Sequence, residues 1–186
     1  MKRTNYDVDP RHYLSVVDVL AAVTYKWLLG PYGHAFAYFS DTALAQVERS
    51  NGSWLSVQQS PHNLTRYTLE TMHAAARFDR GQSPNVLLMH GLSGSLDLIA
   101  ELGLAEIESH NQKLTRYFLD NTRSPLLTQS PLKGNIVCLK VEDGTAIKKK
   151  LREKNIDTSL REGNLRLSFH LFNTREQVNG LLEALN

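Results

Sequence analysis

Apolar positions crowd the first third of the chain and become periodic only later. Val16, Val17, Val19 and Leu20 are mostly β-branched and predict a short buried strand. Ala35, Phe36, Ala37, Tyr38 and Phe39 follow one another without a polar break. They predict a second strand, from Gly33 to Ser40, buried on both faces. Between the two, Gly30, Pro31 and Gly33 force a turn. Asp41 and Thr42 can cap a short helix that ends near Glu48. From Ser60 to Ser83 the pattern fades into a polar, histidine-bearing stretch, and a long irregular segment of this kind is more often functional or interface-forming than idle.

Helical spacing then takes over. Ser83 and Pro84 open a helix whose stripe is Leu88, Leu92, Leu96, Ile99 and Leu102, ending before Gly103. A second helix is predicted from about Ala105 to Asp120, using Ile107, Leu114, Tyr117 and Phe118. The last third reads β-α-β-β-α. A strand from Asn135 to Val141 is followed by a basic helix from Thr145 to Lys154 and a hairpin around Arg161-Glu162-Gly163-Asn164. A final helix follows, carrying Val178, Leu181, Leu182 and Leu185. Asn173 with Glu176, or Thr174 with Gln177, offers that helix a capping box.

The chain has 186 residues, 41% of them hydrophobic, which is enough for a real core in one domain or two small ones. Its net charge of +2, with both signs interspersed, gives no field that argues for nucleic acid. The run from Val16 to Phe39 is long enough to raise the question of a membrane span. However, it holds Asp18, Lys26 and His34, each charge costs roughly 2.5–3.5 kcal/mol at a bilayer centre, and Gly30-Pro31 interrupts it. A core segment is the expectation. One cysteine, Cys138, fits a reducing cytoplasm, and its apolar strand predicts a small buried hydrophobe. The histidines show no ligand spacing with nearby acids, so no metal site is predicted. His90-Gly91-Leu92-Ser93-Gly94-Ser95 lacks the spacing of a hydrolase nucleophile elbow and is read as helix packing, and Lys148-Lys149-Lys150 as a solvated helix face.

Lys26 carries the chemical interest. An ammonium set in an apolar run loses hydration, which favours the neutral amine that attacks carbonyl carbon, and the glycine turn after it would hold that amine at the lip of a loop. The other reading of the same residues is a lysine that snorkels from a strand end. Arg166 stands likewise between two readings. Alternation sets it apart from Leu165, Leu167 and Phe169, so it faces either a cleft or open solvent.

Three stretches, in order along the chain, carry a resemblance. Thr24-Tyr25-Lys26-Trp27-Leu28-Leu29-Gly30-Pro31-Tyr32-Gly33 resembles the cofactor-lysine segment of the class V aminotransferases, the pyridoxal-phosphate-dependent group that includes kynureninases, isopenicillin epimerases and cysteine desulfurases. Arg77-Phe78-Asp79 leading to Pro84-Asn85 resembles the stretch before the family's long helix. Arg166 to Thr174 resembles the segment before its last helix. Where desulfurase-like members have Gly-Thr-Pro-Asn, this chain has Gly81-Gln82-Ser83-Pro84-Asn85, which withdraws a threonine hydroxyl from any phosphate contact.

The resemblance implies an α/β chain, the carboxy-terminal part of a fold type I enzyme. Residues 1–103 would be a remnant of the large cofactor-binding domain with its long helix, and residues 104–186 a small β-α-β-β-α domain. It implies pyridoxal 5'-phosphate held by a Schiff base to Lys26, with Tyr25 donating to the phosphate and Arg166 binding the α-carboxylate of an amino acid. The implied reaction is at Cα, with transamination ahead of epimerase, hydrolase or lyase chemistry. The usual desulfurase route is disfavoured, because Ile156 to Asn164 holds no cysteine. The implied partners are a second copy of the chain, with the stretch before the long helix reaching a neighbouring active site, or a complementary amino-terminal half. The implied location is the cytoplasm. The alternative is a truncated, non-catalytic or partner-dependent fragment.

Overall fold

A computed structural model describes residues 14–48, 53, 56–58, 70–79, 85–127 and 134–185. The chain forms two compact units, Met1–Ile99 and Ala100–Asn186. In the first, strands β1 (Val19–Val23) and β2 (Ala35–Phe39) pair antiparallel, with Val19 opposite Phe39 and Val23 opposite Ala35. Val19, Ala21 and Val23 therefore share one face with Phe39, Ala37 and Ala35, and Leu20 and Ala22 share the other with Tyr38 and Phe36. Both faces are apolar, as expected. Their burial is not: Val19, Val23 and Phe36 stay 47%, 41% and 47% exposed. Among the described residues this sheet has two strands.

Helix α1 (Asp41–Gln46) is capped by Ser40, whose hydroxyl accepts from Ala43 N at 3.1 Å, one residue before the expected Asp41. The Arg77 guanidinium donates to the carbonyls of Leu44 and Val47 at the other end. Phe78, on the 3-10 turn Ala74–Phe78, stacks on Phe39 at 4.7 Å. Helix α2 (Val86–Leu102) starts from Asn85, whose side-chain oxygen accepts from Leu88 N at 3.2 Å. The predicted start at Ser83-Pro84 lies outside the described residues. Most of the stretch from Ser60 to Ser83 also lies outside them; its described part includes the bridge between Val57 and Thr71.

The second unit keeps its predicted order. Helix α3 (Leu104–Asn121) is followed by β3 (Ile136–Leu139), α4 (Gly144–Glu153), β4 (Ser159–Arg161), β5 (Asn164–Ser168) and α5 (Arg175–Leu185). The strands form an antiparallel sheet in the order β3-β5-β4. Its inner face presents Val137, Leu139, Leu165 and Leu167 to Leu114, Phe118, Leu151, Val178 and Leu181 from the helices. Phe118, Val137, Leu139, Leu151 and Leu165 are fully buried. Glu162 and Gly163, at φ of 50° and 79°, make the two-residue hairpin turn between β4 and β5.

Of the two capping boxes the sequence offers, the fold uses Thr174 and Gln177. The Thr174 hydroxyl accepts from Gln177 N at 3.3 Å, and the Gln177 side chain accepts from Thr174 N at 3.1 Å. Glu176, in the first turn, titrates below the ordinary glutamate range because of a backbone hydrogen bond and then the Thr174 side chain. A depressed carboxyl contributes stability above its unfolded range and loses it as pH falls through its folded value. Thr174→Ala is expected to cost about 1 kcal/mol near neutral pH and to shrink the further loss on acidification. Thermal melts at neutral and acid pH check both signs. Among the described residues no single helix is long and apolar enough to cross a membrane.

Candidate functional site

The β1–β2 connection is a closed loop built on Thr24. This residue is 1% exposed, its N–H and hydroxyl both donate to the carbonyl of His34, at 3.2 Å and 3.1 Å, and its own carbonyl accepts from Gly30 N at 3.0 Å. Leu29 N donates to the Lys26 carbonyl at 3.1 Å, so Lys26 to Leu29 form a tight turn at the tip, with Leu29 at a φ of 54°. Helix α2 anchors this loop from below. Ser95 donates its hydroxyl to the Leu29 carbonyl at 2.9 Å, and Gly91 sits against the Pro31 ring. A Cβ on Gly30 would fall 2.9 Å from Leu92 and 3.1 Å from Thr24. The glycine lets loop and helix approach closely, and a larger residue there would have to displace the Leu92 side chain. The stretch from His90 to Ser95 is part of a helix, as its reading as helix packing expects, and Ser95 latches the lysine loop.

Lys26 is exposed. The expectation that burial would activate it is therefore corrected: the apolar run around it does not bury the side chain, and the strands on either side leave Val19, Val23 and Phe36 exposed as well. Its Nζ lies 5.7 Å from the centroid of the Tyr25 ring. Tyr25 is half-buried and stacks on Tyr32 with ring centroids 4.3 Å apart and planes 20° apart. The loop thus presents a primary amine to solvent from a fixed backbone, beside an aromatic pair that carries two phenol hydroxyls. Thr24 closes the loop; its hydroxyl is turned inward to the His34 carbonyl.

Arg166 belongs to the other unit. It lies on β5 with Cys138 of β3 and Ser159 of β4 as its cross-strand partners, on the sheet face away from Val137, Leu139, Leu165 and Leu167. All three residues are half-buried. Cys138 is accordingly not the core hydrophobe expected of it. Four successive apolar residues, Ile136 to Leu139, conceal the alternation that turns Cys138 outward. His170, two residues beyond β5, is 8% exposed; its Nδ1 accepts from Leu171 N at 2.8 Å, and its N–H donates to Asn173 Oδ1 at 2.9 Å. Among the described residues no group of His, Cys, Asp and Glu could hold a metal ion.

The family model for aminotransferase class V matches residues 13–181. The chain belongs to the class V aminotransferase family. Its curated relatives include an uncharacterized aminotransferase of Bacillus subtilis (strain 168), YcbU, which is 22% identical over 173 residues. Another is the kynureninase of Bacillus mycoides (strain KBAB4), 26% identical over 189 residues. The matches cover 91% and 95% of this chain but 45% and 44% of those proteins, so the chain spans about half the length of the curated relatives it matches.

Among solved structures, the cystine C-S lyase C-DES in complex with cysteine persulfide superposes with a TM-score of 0.80 at 23% identity, over 91% of this chain and 46% of that one. The cysteine desulfurase of Thermococcus onnurineus NA1 gives 0.75 at 24%, over 90% and 46%. A C-DES mutant with glycine covalently linked to its PLP cofactor gives 0.78 at 23%, over 91% and 46%. The α/β fold of this family member is therefore that of part of a PLP-dependent enzyme, as the sequence resemblance implies.

Chemically, the loop suits an aldehyde-bearing, phosphorylated cofactor in part. Lys26 offers the amine and Tyr25 a hydroxyl donor, while Thr24, facing inward, offers nothing outward. The loop thus sets a solvent-facing amine close to a phenol hydroxyl.

Proposed function

We propose that this chain contributes the lysine and the carboxylate-binding arginine of a pyridoxal-phosphate-dependent site that acts at the Cα of an amino acid, transamination being the favoured reaction. The observation that carries this reading is the Lys26 amine, held open to solvent on a loop latched by Thr24 and Ser95, within a chain of class V family. The neutral Lys26 amine would be the group that holds the cofactor's aldehyde carbon, the carbonyl oxygen leaving as water, and when free it would take the proton from Cα and return it. Tyr25 donates its hydroxyl to a phosphate oxygen, and Arg166 clamps the substrate α-carboxylate with two parallel N–H donors. The cofactor, when bound, supplies the electron sink that stabilises negative charge at Cα.

A second reading has its own observation in favour: the chain spans about half of its relatives, and Lys26 is uncovered. In that reading it is a partner-dependent fragment, silent until a complementary amino-terminal half supplies the remaining contacts to the cofactor ring and phosphate. The two readings separate in one experiment. Pyridoxal 5'-phosphate is added to the purified chain, the mixture is reduced with borohydride, and the modified lysines are mapped by peptide mass spectrometry. Lys149 and Lys150, exposed on α4, are built-in controls for an ordinary surface amine. The cofactor reading expects Lys26 to be labelled well ahead of them, and Lys26→Ala to remove that label while leaving theirs. Even labelling of all three in the chain alone, or a Lys26 label no stronger than theirs, would sink the claim that this polypeptide holds the cofactor unaided.

A further inference from the structure

A cavity of about 570 Å³ lies within the carboxy-terminal unit, between the segment that leads into β4, the end of β5 and helix α5. Ile156, Leu167, Phe169, Phe172 and Leu181 give it an apolar surface, and Lys154, Asp157 and Thr158 add polar groups. Neither Lys26 nor Arg166 lines it. A mostly apolar hollow of this size with a few polar groups is the ordinary form of a small-molecule site. Two features set it apart from a packing gap. The first is Thr158, whose buried hydroxyl oxygen has no hydrogen-bond partner among the described residues. Native structures pair their buried polar groups, and an apolar residue of the same shape would carry no such cost. The second is Gly180. Glycine weakens a helix interior, yet Gly180 stands inside α5, lines the cavity and has nothing within 4 Å of the place its Cβ would take. This glycine provides room.

We propose that this cavity binds a free α-amino acid with a large apolar side chain, at a ligand site separate from the one read from Lys26 and Arg166. The apolar part of the ligand follows from the floor: Leu167, Phe169 and Leu181 are only 4%, 5% and 5% exposed, and their surface in the cavity is what an aromatic or branched body would cover. Phe172 extends that surface outward, its ring held in place by stacking on His170 at 5.4 Å. The head group follows from the charges. Lys154 and Asp157 are both exposed, carry opposite signs and stand three positions apart in the lining. A plain anion would meet Asp157 and a plain cation would meet Lys154, whereas a zwitterion suits both. Its carboxylate accepts from the Lys154 ammonium, and its own ammonium donates to Asp157 and to the Thr158 hydroxyl oxygen, the next residue along. A phosphate or nucleotide is disfavoured, since Lys154 is the one cation of the lining and has an acid beside it. A purely apolar filler is disfavoured because it would leave the Thr158 hydroxyl unpaired.

The test titrates L-phenylalanine into the full chain by calorimetry, beside 3-phenylpropionate, which lacks the ammonium, and phenethylamine, which lacks the carboxylate. The amino acid should bind, and each analogue should bind about ten-fold more weakly or worse. Gly180→Leu fills the cavity with a better helix former, so affinity should fall about ten-fold or more while the melting midpoint holds or rises. Thr158→Val should raise the midpoint and lower the affinity, opposite signs that a threonine with a merely structural role would not give. Binding must also persist in Arg166→Ala, which separates this cavity from the proposed carboxylate site. No binding up to about 10 mM, equal binding of all three compounds, unchanged affinity in Gly180→Leu or in Thr158→Val, or loss of binding in Arg166→Ala would overturn the proposal. Its outcome is independent of the cofactor reading, because borohydride labelling reports on Lys26, which lies outside this lining.

Discussion

Gly144→Ala is expected to destabilise the carboxy-terminal unit by about 3 kcal/mol, the upper end of what overpacking ordinarily costs. Gly144 is the first residue of α4 and is buried against the β4–β5 turn. A Cβ there would sit 2.1 Å from the carbonyl oxygen of Gly163 and 3.0 Å from Leu160 Cδ2. The nearest obstacle is backbone, so it cannot rotate away as a side chain would. The backbone on both sides is also committed. Asp143 caps the helix by accepting from Ala146 N at 2.9 Å, and the turn holds Glu162 and Gly163 at positive φ. Helix and hairpin must therefore separate, and Leu151 and Leu165, both fully buried between them, lose contact. For a domain of under 100 residues each kcal/mol moves the midpoint by roughly 4–8 °C, so a fall of about 12–24 °C is expected in a thermal melt.

Gly180→Ala is the matching control. Gly180 lies inside α5 with nothing within 4 Å of a new Cβ, so alanine should be neutral or raise stability by up to about 1 kcal/mol. Equal melting for the two variants would refute the tight docking of α4 on the turn.

The same contrast explains what was legible in the sequence. The carboxy-terminal unit could be read because its signals are local and its core is its own. Alternation in β5, the Glu162-Gly163 turn and the Thr174/Gln177 box each act within a few residues, and the order β-α-β-β-α follows. The lysine loop was read correctly as a turn between strands but wrongly as buried. Apolarity reports what a strand is built to contact, and for β1 and β2 that contact is absent from the described residues. The anchoring of the loop was invisible for a different reason. Ser95 meets Leu29 across 66 positions, and Thr24 meets His34 across ten, separations that no periodicity encodes. Cys138 was misplaced because an unbroken apolar run hides which way each residue points.

Arg166→Ala is expected to leave the fold intact and to weaken amino acid binding in the cofactor-loaded assembly by about 2–4 kcal/mol, or roughly 30- to 1000-fold. The fold should tolerate it because Leu165 and Leu167 pin β5 to the core from the other face, at 0% and 4% exposure, while Arg166 contributes nothing to that cluster. Binding should not, because a carboxylate taken out of water without its partner bears the full cost of an unpaired charge. The half-buried setting among Cys138 and Ser159 sharpens this, since neither side chain can replace a guanidinium. Arg166→Lys keeps the charge but loses the two-pronged geometry, and should fall between wild type and alanine. Titrating α-amino acids against the change in cofactor absorbance measures all three proteins. The proposed role predicts that cofactor uptake and the melting midpoint stay constant across them while amino acid affinity falls in the order Arg, Lys, Ala. Unchanged affinity in Arg166→Ala would remove Arg166 from the site. Joint loss of cofactor, affinity and melting midpoint would make it a structural residue of the sheet instead.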